Sequence, residues 1–225
     1  MLNQEKHREL MSNILIDIFE SDINNAFAFK WWTCCYFLYW LDRFSTDLDF
    51  DLINQAKNLD ENLIQILNKY WKIKLWQKRL ILSYWEREHN IKIDINRNIW
   101  NENIYKTVNF FGTDIKVQDK SSIFANKLIA SINRNTNRDI YDIYFFMKNM
   151  WNINEKIIFE KTKKNSINIF EELLKKLEKL PKNYKILDWL WEILTNEQKV
   201  FTKDKLISKL IGLLEQKISF SKKNN

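Results

Sequence analysis

The sequence predicts an α+β protein, with a mixed α/β half reaching about residue 118 and an all-helical half after it. Two observations carry this. Before residue 118, short stretches alternate apolar and polar residues with the period of two that belongs to half-buried strands, and helical stretches lie between them. After Lys120 the apolar residues recur only at helical spacing. No internal repeat or low-complexity linker separates the halves. The expected division is a domain over 1–118 and a domain over 119–225, with a shared cleft as the place for a site.

Taken in order, residues 5–20 carry Leu10, Ile14, Ile16, Ile18 and Phe19 at helical spacing, an amphipathic opening helix. Phe27–Lys30 reads as a short strand, 33–39 as a very apolar helix, and 42–50 as a polar turn running into a second strand. The spacing of 51–69 is helical, with Ile53, Leu63, Ile64 and Leu67 as the buried side. Residues 72–75, 78–84 and 91–95 alternate as strands, with a hairpin turn within 83–90, and 107–117 is a last extended stretch. Helices are predicted over 121–132, 138–146, 152–180, 187–194 and 206–218; Pro181 marks a boundary and 219–225 reads as a frayed polar tail.

The chain has 225 residues, 45% hydrophobic and 29% charged, enough for a proper core. No apolar run approaches a membrane span, and the first ten residues are too polar for a signal peptide, which points to the cytoplasm. Cys34 and Cys35 are adjacent and read as buried, reduced thiols rather than a disulfide framework; two distant histidines, His7 and His89, argue against zinc. A net charge of +7 favours polyanionic partners such as RNA or nucleotides. One feature of the composition stands apart. At an average of about 7% the chain should carry roughly 16 glycines; it has 2, alongside 10 tryptophans.

The candidate chemistry starts at Asp47 and Asp49. Residues two apart on a strand project to one face, so these carboxylates point the same way, and Mg²⁺ prefers such hard oxygen ligands. A solvated acidic strand end has the same pattern, but the apolar flanks Phe44, Leu48, Phe50 and Leu52 confine the pair. Asp94 lies on a polar position between Ile93 and Ile95 and is the candidate third carboxylate; an exposed strand residue is the alternative. In the helical half, Asp139 and Asp142 sit three apart on one helix face.

Phe29-Lys30-x-x-Thr33, followed by Leu41-Asp-Arg-Phe-Ser-Thr-Asp-Leu-Asp-Phe50, resembles the AbiEii/AbiGii family of nucleotidyltransferase toxins. A second block, 124–130 with Lys127 and then Arg138-Asp-Ile-Tyr-Asp142, is similar to that family's helical lysine and Arg-Asp-x-x-Asp. The resemblance implies a polymerase-β-type nucleotidyltransferase domain with a helical C-terminal domain. It implies transfer of a nucleotide from an NTP to RNA, in characterised relatives tRNA 3′ ends. It also implies a cognate antitoxin, in a type IV toxin–antitoxin system tied to abortive phage infection. By the same resemblance Asp47 and Asp49 hold Mg²⁺ against the triphosphate and Asp94 helps activate the acceptor hydroxyl. Lys30, Thr33, Arg43 and Ser45 border the nucleotide, and Lys127 neutralises the triphosphate. Asp139 and Asp142 complete the second block without separate roles, and Arg138 contacts substrate or pairs with a carboxylate.

The family carries Gly-Gly where this chain has Trp31-Trp32. Those glycines let the backbone approach the phosphates, with free N–H groups at the helix start behind them. Two indoles there fill the space a triphosphate needs. Trp40 falls where the family commonly has glycine; Trp71 and Trp151 follow helices where a left-handed glycine cap is expected; Trp85 lies in the hairpin turn, and Trp189 and Trp191 also occupy glycine-like positions. The expectation is that most of these tryptophans are glycines in the native protein, as a UGA codon read differently by two genetic codes would produce. With genuine tryptophans the chain would instead be a catalytically inactive RNA- or antitoxin-binding homologue, using basic surface and aromatic stacking. Nucleotidylation of a small molecule on the same fold is a third reading.

Overall fold

The computed structural model describes residues 3–70, 72–76, 79–84, 89–98, 100–134 and 136–223. The chain forms two compact units, residues 1–40 with 44–119, and residues 41–43 with 120–225.

The first unit is built on a mixed sheet. In chain order its strands are β1 (Phe27–Lys30), β2 (Asp47–Leu52), β3 (Lys72–Trp76), β4 (Arg79–Tyr84), β5 (His89–Asn96), β6 (Tyr105–Phe110) and β7 (Thr113–Gln118). They lie in the order β3-β4-β5-β2-β1-β7-β6, with β2–β5 and β1–β7 parallel and the other neighbours antiparallel. The helices are α1 (Gln4–Phe19), α2 (Trp31–Leu38) and α3 (Leu59–Asn68). Asn3 caps α1, its side chain accepting from the Lys6 N–H at 3.1 Å. One face of the sheet is apolar. Phe29 lies opposite both Phe50 and Val117, and Leu48 opposite Ile93, all nearly inaccessible to solvent. Met11, Ile14, Leu15 and Ile18 of α1 are fully buried, and Phe19 meets Phe50 at 6.5 Å between ring centroids. Cys34 and Cys35 on α2 are buried and not bridged to each other, and burial pushes the Cys34 thiol up.

Several boundaries differ from the sequence-based expectation. Strand β2 runs to Leu52 and α3 begins only at Leu59, so Ile53 lies outside the helix; Ile64 is 38% exposed while Leu59, Leu63, Ile66 and Leu67 are buried. The stretch 107–117 is a hairpin of β6 and β7, turning through Phe111 (φ +50°) and Gly112 (φ +94°). Positive φ at both central residues is the requirement of a two-residue type I′ turn, which Asn-Gly normally announces; Phe-Gly hides it. Residues 85–88, where the expected 83–90 turn falls, lie outside the described residues.

The second unit is helical: α4 (Lys120–Asn133), α5 (Asn137–Lys148), α6 (Glu155–Thr162), α7 (Ser166–Glu178), α8 (Asn196–Asp204) and α9 (Leu206–Lys223). Its core holds Phe124, Phe146 and Phe170, with centroids 5.4 Å (Phe124–Phe146) and 6.5 Å (Phe124–Phe170) apart, and Leu173, Leu206, Leu210 and Leu214. The expected helix over 187–194 is instead a series of turns with Trp189 at φ +66°, a conformation that breaks the helical ladder while Leu190, Ile193 and Leu194 stay buried. The predicted tail is helical through Lys223. Helix α8 was hidden by its polar composition; its capping box, Thr195 with Gln198, is the signal that marks it. Among the described residues no helix is long and apolar enough to cross a membrane.

Candidate active site

The central strands put the carboxylates together by register. Across the parallel β2–β5 pair, Asp47 lies opposite Lys92, Asp49 opposite Asp94, and Asp51 opposite Asn96; across the antiparallel β1–β2 pair, Lys30 lies opposite Asp49. Because side chains alternate, Asp47, Asp49, Asp51, Asp94, Asn96 and Lys30 share the face opposite the one that carries Phe29, Leu48, Phe50 and Ile93. Neighbouring strands run about 4.8 Å apart, so Asp49 and Asp94 are immediate neighbours. Asp49 is 9% exposed, and Asp47 and Asp94 are half-buried.

Among the described residues no three His, Cys, Asp or Glu side chains converge on one point. The strands supply carboxylates on a face rather than a closed cage. That suits Mg²⁺, which keeps several waters and binds through one or two carboxylates plus substrate phosphates; Ca²⁺ or Zn²⁺ asks more of the protein.

Thr33 and Ser45 meet beside the acid pair. Their hydroxyls are 2.8 Å apart, and the Thr33 hydroxyl also donates to the Asp47 carbonyl, tying the start of α2 to the start of β2. Between Lys30 and Thr33 the chain turns sharply. Trp31 takes φ +59°, the left-handed region that costs an L-residue with a side chain roughly 1–2 kcal/mol. The indoles of Trp31 and Trp32 lie 5.8 Å apart, and the Lys30 ammonium sits 4.9 Å from the Trp31 ring. Two further tryptophans are left-handed: Trp40 (φ +54°, 82% exposed) and Trp189 (77% exposed). The glycine-like position expected at Trp151 falls one residue earlier, at Met150 (φ +51°); Trp151 stacks on Phe146 at 4.3 Å and 16°. Trp32 and Trp191 are not left-handed, and Trp71 and Trp85 lie outside the described residues.

Sequence reasoning missed Asp51. Its carboxylate, 3% exposed, accepts from Lys30 Nζ at 2.7 Å, Asn96 Nδ2 at 2.7 Å and the Tyr105 hydroxyl at 2.9 Å. The signal was available, because the alternation of Asp47 and Asp49 continues to Asp51.

In the helical unit, Arg43, Lys127, Asp139 and Asp142 come together as one buried network. Arg43 grips Asp142 with two parallel bonds, Nε to Oδ1 at 2.6 Å and Nη2 to Oδ2 at 2.8 Å. The Lys127 ammonium pairs with Asp142 at 3.0 Å and with Asp139. Arg134, also missed from sequence, closes on Asp139 at 2.7 Å. Burial pushes the Lys127 amine below its ordinary value, against the pull of Asp142 and Asp139. Burial also raises Asp139, but Lys127 and Arg134 outweigh it and hold its carboxyl below the ordinary value. Arg138 donates from Nε to the Trp189 carbonyl at 3.1 Å.

This α+β fold, a mixed sheet followed by a helical unit, is shared with nucleotidyltransferases of known structure. A nucleotidyltransferase candidate from H. pylori aligns over 100% of this chain and 99% of its own, at 18% identity and a TM-score of 0.69. JHP933 from Helicobacter pylori aligns over 100% and 99% at 20% identity and a TM-score of 0.60. MenT4, a nucleotidyltransferase toxin from Mycobacterium tuberculosis, aligns over 94% and 84% at 14% identity and a TM-score of 0.58. No curated protein matches the chain significantly. The family model "Nucleotidyl transferase AbiEii toxin, Type IV TA system" matches residues 13–204, and the chain belongs to that family.

Proposed function

We propose that the protein is a Mg²⁺-dependent toxin of the cytoplasm that transfers a nucleotide from an NTP to RNA, with tRNA as the acceptor. A cognate antitoxin restrains it within a type IV toxin–antitoxin system that serves abortive infection. Residues 1–118 form the nucleotidyltransferase domain and 119–225 the helical domain. The observation that carries this reading is the register of Asp49 against Asp94, with Asp47 two residues away on the same face.

Asp47, Asp49 and Asp94 are the residues that would hold Mg²⁺, which supplies charge neutralisation at the transferring phosphoryl group. Thr33 and Ser45 fix the start of β2, and so the placement of Asp47, through the Thr33 bond to the Asp47 carbonyl. With glycines at 31 and 32, the segment 30–33 would approach the phosphates, with the N–H groups at the start of α2 as donors. In the helical unit, Lys127, Arg138, Asp139 and Asp142 are the second block of the family pattern. Lys127 can serve a phosphate only by exchanging it for the aspartates that now hold it, and Arg43 keeps Asp142 in place for that exchange.

The test is incubation of the purified chain, and of a Trp31→Gly/Trp32→Gly form, with labelled NTPs, Mg²⁺ and total tRNA. Label transfer that vanishes in Asp47→Ala and Asp49→Ala supports the reading. RNA binding without transfer in both forms supports a second reading, an inactive RNA- or antitoxin-binding module. That alternative is favoured by the two indoles at the β1–α2 junction.

A further inference from the structure

Lys30 and Asp49 are register partners across β1 and β2, so an ammonium there would ordinarily fold onto the nearer carboxylate. It is drawn instead one step along the strand, to Asp51 at 2.7 Å. Asp51 is equipped for this. Asn96 and Tyr105 donate to its two carboxylate oxygens, and Asn103 Nδ2 donates in turn to the Tyr105 hydroxyl at 3.2 Å. The carboxylate therefore has a fixed position from three elements, β2, β5 and β6, and it accepts three bonds while nearly fully buried. The hydroxyl of Tyr105 is held in its neutral, donating form, because burial and the neighbouring Asp51 push its ionisation up.

We infer that Asp51 is a positioning residue that withholds Lys30 from Asp49, so that this ammonium does not compete with a divalent cation for the Asp49 carboxylate. The inference rests on the metal reading of that face. A lysine beside a carboxylate competes with a cation for it, and a second, better-anchored carboxylate removes the competitor without moving the backbone. Tyr105 and Asn96 act through Asp51 by the same logic, and the alternation Asp47, Asp49, Asp51 thus divides into two metal ligands and one counter-ion.

The experiment is Mn²⁺ binding to the purified full chain, followed by electron paramagnetic resonance. Wild type should bind Mn²⁺ at a site lost in Asp49→Asn. Asp51→Asn frees the ammonium to reach Asp49 and should weaken Mn²⁺ binding about tenfold. Adding Lys30→Met to Asp51→Asn should restore wild-type affinity, which a merely structural role for the pair does not predict. If Asp51→Asn fails to fold, Asn96→Ala/Tyr105→Phe, which strips Asp51 of its two neutral donors, should weaken binding in the same direction. Wild-type affinity in whichever of these two variants folds, or a double variant as weak as Asp51→Asn, overturns the inference alone. Absence of an Asp49-dependent site in wild type overturns the metal reading and the inference with it.

Discussion

Asp49 and Asp94 face each other directly across two parallel strands, from positions 45 residues apart in the chain. Each is flanked by apolar residues that go to the opposite face, Leu48 and Phe50 on one strand and Ile93 and Ile95 on the other, so the register cannot slip by one without burying a carboxylate in the core. Asp94→Asn keeps the shape and removes the charge. The expected result is a fall in nucleotide transfer on the order of a hundredfold or more, the effect of losing one group that stabilises a transition state. The melting temperature should be unchanged. Activity is read by label transfer to RNA, and equal transfer by Asp94→Asn would remove the third carboxylate from the site.

Arg43 and Lys127 converge on Asp142, whose side chain is fully buried. Removing one partner of a buried ion network leaves a charge uncompensated, which costs roughly 3–5 kcal/mol. Lys127→Ala is therefore expected to lower the unfolding free energy by that order in urea titrations. Arg43→Lys keeps the charge but loses the paired bonds to Asp142, so the loss should be smaller yet measurable. A Lys127→Ala protein as stable as wild type would show that the network contributes nothing to the fold.

Much of the first unit was legible. Phe27–Lys30 is a strand at the residues predicted, and alternation places Asp47 and Asp49 on one face of β2 and Asp94 at a polar position of β5. What escaped depends on partners that sequence spacing does not reveal. The alternation of Asp47 and Asp49 continues to Asp51, but the groups that hold it, Lys30, Asn96 and Tyr105, come from three other strands. Arg43, in the irregular segment before β2, meets Asp142 of α5 across 99 residues, a pairing that no spacing along the chain announces. The turn at Phe111 was hidden because a residue with a bulky side chain occupies a left-handed position that glycine or asparagine would have flagged.

Asp139 also sets an acid limit. Lys127 and Arg134 hold its carboxyl below the ordinary 3.8, so the folded chain releases this proton more readily than the unfolded one. A depressed carboxyl contributes stability above the unfolded value and loses it as pH falls through the folded value. The stability difference between wild type and Asp139→Asn should be full at pH 7 and shrink progressively below about pH 4. Urea unfolding of both proteins at neutral and acid pH checks it; a difference independent of pH would mean that the charge of Asp139 is not what stabilises the helices.

Among the described residues, three of the seven left-handed residues other than glycine are tryptophans, Trp31, Trp40 and Trp189. A bulky residue in that region is a genuine outlier costing roughly 1–2 kcal/mol, and glycine removes the cost. Trp40 and Trp189 are mostly exposed, so little packing is lost with the indole, and Trp40→Gly and Trp189→Gly should each stabilise the protein by about 1 kcal/mol. Trp31→Gly should gain less, because its ring contacts Trp32 and the Lys30 ammonium. Trp151→Gly should do the reverse: its indole stacks on Phe146 and lies 5.3 Å from the Lys120 ammonium, and its loss should cost about 2 kcal/mol or more. Melting temperatures of the four variants separate positions whose backbone asks for glycine from one where tryptophan belongs. If the three left-handed positions are glycines decoded from UGA, mass spectrometry of the protein from its own host will find glycine there, and UGG codons at 31, 40 and 189 would sink that origin while leaving the strain to be relieved by mutation.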